Sequence, residues 1–230
     1  MKNNIVITSF AWKMAERVLL QGLAVVVQVI LARLLMPSDF AAVALINAVI
    51  HYLGLFVQSG LSTVVVQKKE LDNKDISTLM TYSLCTATLL YISIFFLAPL
   101  LSNYYNVGDL ILPIRVAALS LFLYSFNSIQ TGILSRQMRF RTIFFLSIVA
   151  MPIAAVIAIT MAFCGMGIWA LICNTLLNIL LTVIIMNTMP ELRIKLGFSF
   201  IRFKQLFSFS GKILLTTLIS GGGDTLRTLV

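Results

Sequence analysis

Apolar residues run along this chain in blocks of about twenty, each closed by a short cluster of Pro, Gly, Asn, Asp or basic residues. A helix needs about 20 apolar residues to cross a hydrocarbon core of about 30 Å. On that length the sequence divides into seven spans: Phe10 to Leu35, Phe40 to Val57, Ile76 to Leu97, Leu112 to Leu134, Ile143 to Phe163, Ile168 to Met189, and Leu206 to Val230. Between them stand Met36-Pro37-Ser38-Asp39, Gln67 to Asp75, Ser102 to Asp109, Arg136 to Arg141, Gly165-Met166-Gly167, and Pro190 to Gln205. The pattern predicts an all-α fold, a polytopic transmembrane helix bundle. Its parts are a six-helix lobe over residues 1–189, a basic cytoplasmic linker over 190–205 and the start of a seventh helix over 206–230. In the first turn Pro37 is expected to stop one helix, with Ser38 or Asp39 capping the next. The first apolar run is too long for a signal-peptide core and ends in Arg33-Leu34-Leu35-Met36-Pro37, so it reads as a retained span.

Polar residues inside the spans are not scattered. At about 100° per residue, His51, Gly54 and Gln58 fall within about 40° of Asn47 on the second span. Lys13, Arg17, Gln21 and Gln28 cluster on the first, with Ala24 between them. Thr78, Tyr82 and Cys85 align on the third span, Ser120, Tyr124, Asn127 and Thr131 on the fourth, and Asn174, Asn178 and Thr182 on the sixth. A polar side chain surrounded by lipid must find a partner or water. Such stripes therefore turn inward, either to bind neighbouring helices or to line a wet cavity. An arginine cannot shed its charge, so within a span it snorkels or meets an anion. Arg115 and Lys212, near span ends, fit snorkelling; Arg17, about a turn inside the first span, fits a cavity with anionic content. Arg227 follows Gly221-Gly222-Gly223-Asp224, a run suited to an irregular helix beside a cavity.

Composition agrees with the segmentation. The chain has 230 residues, of which 60% are hydrophobic and 11% charged, with a mean hydropathy of +1.00. That excludes a soluble domain and a disordered chain. The net charge of +9 is explained by where the cations fall. Lys2, Lys13 and Arg17, then Lys68, Lys69 and Lys74, then Arg136, Arg139 and Arg141, then Arg193, Lys195, Arg202 and Lys204 all fall on one side, against Arg33 on the other. Cytoplasmic loops carry such an excess, which puts the N-terminus in the cytoplasm and removes the need for a nucleic-acid partner. Cys85, Cys164 and Cys173 sit in apolar runs without paired spacing and read as packing residues.

The catalytic inventory is thin. The sequence has no paired carboxylate in a span, no Walker A loop, no HExxH, no CxxC and no acidic cluster at a membrane edge. No catalytic residue, metal or cofactor is expected, and the first six spans offer no ionisable carboxylate at mid-depth.

Several passages together resemble the polysaccharide flippases of the multidrug/oligosaccharidyl-lipid/polysaccharide exporter superfamily. They are Leu31 to Phe40 (LARLLMPSDF), Gln58 to Leu61 (QSGL), Val66 to Glu70 (VQKKE), Leu134 to Phe140 (LSRQMRF), Gly165 to Leu171 (GMGIWAL) and Phe207 to Gly211 (FSFSG). Ala41 departs from the glycine common after the aromatic residue. The resemblance implies two six-helix lobes that rock about a central cavity, of which this chain supplies one lobe and a seventh helix. It implies a lobe in the bacterial inner membrane that moves an undecaprenyl-type lipid-linked saccharide. Arg17 and Arg227 would attract pyrophosphate or acidic sugar, and Gln21, Gln28, Asn47, His51, Gln58, Asn127 and Asn174 would line the cavity. Membrane lipids, a second lobe and polysaccharide-assembly proteins are the implied partners. A cation-coupled multidrug antiporter and a non-transporting fragment or assembly partner stand as the alternatives.

Overall fold

Pro37 begins a helix as well as ending one. In the computed structural model, which describes residues 2–58, 61–68, 71–105 and 110–194 together with 197 and 199, α1 spans Lys2–Leu34 and α2 spans Pro37–Gln58. Proline suits the first helical position, where its missing N–H costs nothing. Ser38 and Asp39 consequently lie inside the first turn of α2 and do not cap it, and the Asp39 N–H donates to the Met36 carbonyl at 3.0 Å.

The remaining elements are α3 (Leu61–Gln67), α4 (Asn73–Tyr105), α5 (Ile111–Ala117), α6 (Ser120–Arg136), α7 (Phe140–Phe163), α8 (Ile168–Thr188) and a 3-10 turn, Pro190–Leu192. Among the described residues, 6 helical stretches are long and apolar enough to cross a membrane, and the chain is an all-α, polytopic membrane bundle. The predicted seventh span, Leu206 to Val230, lies outside the described residues.

Three features differ from the segmentation. The short α3 occupies what reads in sequence as a link. The third span continues past Leu97 to Tyr105, with Pro99 inside the helix. The fourth span is broken between α5 and α6, where the Leu119 N–H reaches the Val116 carbonyl at 3.1 Å and the Phe122 N–H reaches the Leu119 carbonyl at 3.2 Å. These i to i+3 bonds tighten the chain into a 3-10 turn.

Small residues set the close packing. Ala150, Ala154, Ala158 and Ala162 are buried at four-residue spacing along α7, a stripe that lets neighbouring backbones approach. Val27 and Leu31 of α1 join the same apolar cluster as Ala155, Ala162 and Ala170. On α6, a Cβ at Gly132 would lie 3.1 Å from the Ser62 Cα, so the missing side chain is what seats α3. Arg136 then closes α3, donating from Nη1 to the Val65 carbonyl at 2.9 Å and also to the Lys68 carbonyl. At the opposite end, Gly165 and Gly167 adopt positive φ to turn α7 into α8. A Cβ on Gly167 would stand 3.3 Å from the Asp39 carboxylate, so the two turns at that end meet.

Large apolar side chains remain exposed on the outside. Val18, Val25 and Val29 of α1, Leu89, Phe96 and Leu100 of α4, and Val149, Val156 and Phe163 of α7 all face outward, as a lipid-facing surface requires.

Candidate transport groove

Most of the Ser and Thr hydroxyls in the polar stripes are satisfied by their own helices. Thr78 donates to the Lys74 carbonyl at 2.7 Å and Thr182 to the Asn178 carbonyl at 2.8 Å, while Thr175 donates to the Leu171 carbonyl at 3.3 Å. Such back-bonding lets a hydroxyl sit in an apolar span without a neighbour. The Asn, Gln and His side chains have no comparable local outlet.

Most of those side chains gather around three half-open chambers. The first, about 300 Å³, lies among α1, α2, α7 and α8 and is lined by Gln28, Asn47, Asn174 and Asn178. The second, about 260 Å³, takes Asn47 and His51 from α2, Ser120 and Tyr124 from α6, and Thr175 from α8. The third, about 350 Å³, extends to the end of the bundle where α1 begins, with Lys13, Glu16, Asn127, Thr131, Ser147, Asn178 and Thr182 in its wall. Thr175 borders all three, and Asn47, Tyr124 and Asn178 each border two. Together the chambers form one groove along the inner face of α8. Each is near the lower end of the ~300–1,000 Å³ typical of small-molecule pockets.

The structure thus brings together Gln28, Asn47, His51, Asn127 and Asn174. Asn127 accepts from the Thr131 hydroxyl at 3.4 Å, whereas Gln28, Asn47, His51 and Asn174 have no hydrogen-bond partner among the described residues. Gln58 is half-buried at the foot of α2, beside Gly54, and lies outside these chambers. Gly54 itself packs on the Tyr124 ring, 3.3 Å from where its Cβ would be. Arg17 and Gln21 are exposed on α1, each one residue beyond the lining positions Glu16 and Leu20, and neither belongs to the chamber walls. Arg227 lies outside the described residues.

Glu16 is the residue that sequence reasoning passed over. Its side chain is 10% exposed, and its Oε2 accepts from the Lys13 Nζ at 2.8 Å. An ionisable carboxylate is therefore present in the groove wall, near the start of the first span (Trp12–Leu34) and not at mid-depth. Lys13 and Glu16 stand three apart, the spacing of a helical ion pair, but Glu16 falls about 60° outside the edge of the polar stripe, so the stripe does not include it. Among the described residues no three His, Cys, Asp or Glu side chains converge as a metal site would require.

Fold and groove define a multi-pass membrane protein with a polar inner face and an apolar outer one. Residues 30–230 match the family described as polysaccharide biosynthesis protein, and the chain belongs to that family. It is also similar to the succinoglycan biosynthesis transport protein ExoT of Rhizobium meliloti (strain 1021), 26% identical over 169 residues. That match covers 74% of this chain and 34% of the relative, so the chain spans about a third of that protein's length. No solved structure matches.

Proposed function

We propose that this chain forms one lobe of a transporter that moves a lipid-linked saccharide precursor across the bacterial cytoplasmic membrane for surface-polysaccharide assembly. The observation that carries the reading is the groove. Gln28, Asn47, His51 and Asn174, which have no competing partner among the described residues, and Asn127, bonded to Thr131, offer donors and acceptors to sugar hydroxyls in a chain of the polysaccharide biosynthesis family. Apolar helix faces flank it and suit a polyprenyl tail. Arg17 and Gln21 stand at the rim on α1, where a second lobe would close the cavity. The excess of Lys and Arg at the end where α4 begins and α6 ends supports placing that end, and the N-terminus, in the cytoplasm. One lobe does not complete alternating access, so the second is supplied by further chain or by a partner.

The test is export of surface polysaccharide in cells lacking their own copy. Asn47→Leu with Asn174→Leu removes two lining amides while keeping the branched shape of each side chain. Export is expected to fall while membrane abundance holds; undiminished export contradicts the reading.

One observation favours a second reading, cation-coupled antiport of a small molecule. Glu16 supplies a carboxylate within a span, the group such coupling requires. Drug resistance conferred by expression, with saccharide export unaffected by loss of the protein, would shift the assignment to it.

A further inference from the structure

Lys13 and Glu16 are the charged groups among the described residues that line the three chambers. They are shielded unequally, since the lysine side chain is 51% exposed and the glutamate side chain 10%. Both residues line the third chamber, and an incoming anion there meets the more exposed ammonium. We propose that Glu16 is an internal competitor for the acidic group of the cargo, holding Lys13 in the groove until that group takes the lysine over. The proposal rests on the saccharide reading above and names the part of the cargo met at this end, a phosphate or pyrophosphate head.

A lysine is a point charge on a flexible stem, so its ammonium can pivot from one anion to another without moving the helix. Each step has a cost. The cargo must displace a partner already at 2.8 Å, and Glu16 must then stay in the groove wall without its cation. Binding is weakened by that amount, and release on the far side is eased by the same amount. Among the described residues that line this chamber, no other cation replaces Lys13. On α1, Arg17 is exposed and lies one residue past Glu16. On α7, the Arg141 guanidinium lies over the Trp12 ring at 5.6 Å. The α6 and α8 walls bring uncharged Tyr124, Asn127, Asn178 and Thr182.

The experiment measures binding of geranylgeranyl pyrophosphate to the full chain in nanodiscs, with inorganic pyrophosphate as a competitor to separate head from tail. Glu16→Gln is expected to tighten binding by about tenfold, and Lys13→Gln to weaken it by about as much. The double variant should match Lys13→Gln alone, because a competitor without a cation has nothing to compete for. Glu16→Ala, which leaves no amide behind, must move in the same direction as Glu16→Gln, and thermal unfolding of each variant checks that the fold is kept. Wild-type binding with Glu16→Gln equal or weaker overturns the competitor role and leaves the cargo reading standing. Absence of binding in every variant overturns both.

Discussion

Arg115 donates from Nη2 to the Phe95 carbonyl at 3.3 Å, and Phe95 stands four residues before Pro99. Proline has no N–H, so the Phe95 carbonyl is the one that Pro99 leaves without its helical donor. The guanidinium carbon also lies 3.7 Å from the centre of the Phe95 ring. An arginine read in sequence as snorkelling thus repairs a break in the neighbouring helix. Arg115→Leu should cost about 2 kcal/mol, the sum of an orphaned carbonyl and a lost cation–π contact. In a Pro99→Ala background the ladder is restored and the same substitution should cost less. Thermal unfolding of the four combinations in detergent reads the coupling directly.

Gly132 and Gly22 should respond oppositely to alanine. At Gly132 the new Cβ would meet the Ser62 Cα at 3.1 Å and the Val65 Cβ at 3.2 Å, so α3 must shift. A loss of about 1–3 kcal/mol follows. At Gly22 nothing lies within 4 Å, and alanine should be neutral or stabilise by up to ~1 kcal/mol through helix propensity. Equal effects at both sites would show that α3 does not pack on α6 as described.

Arg136→Gln removes the donors that close α3. The Val65 and Lys68 carbonyls lose a charged partner, and a destabilisation of about 2 kcal/mol is expected. Hydrogen exchange should rise along α3 before it rises elsewhere, since α3 is a single short segment held at its end. Unchanged protection over residues 61–68 would mean that the cap carries no weight.

The spans were legible because bilayer thickness imposes a length that few other structures share. Breaks within them were not, for physical reasons. Pro99 sits inside α4 because its missing bond is made good from Arg115 on another helix, which no local window contains. The α5–α6 turn at Ala118 and Leu119 uses small and apolar residues without Pro or Gly, so nothing in the sequence marks it. The groove was half legible. A stripe rule found Gln28, Asn47, His51, Asn127 and Asn174, since helical geometry fixes which positions share a face. The same rule placed Arg17 with them, yet α1 turns Lys13, Glu16 and Leu20 to the chamber and leaves Arg17 exposed. A stripe gives a face to within some tens of degrees; packing of α1 on α7 decides which edge of it meets the groove.

The central claim is that cargo passes along the inner face of α8, and Thr175, which borders all three chambers, is where to test it. Thr175→Trp fills the junction from an exposed position without burdening the packed core. Surface-polysaccharide export, measured in cells carrying only this variant at wild-type membrane abundance, is predicted to fall by about tenfold or more, a barrier of ~1.4 kcal/mol. Export at the wild-type level with the tryptophan in place would contradict the account.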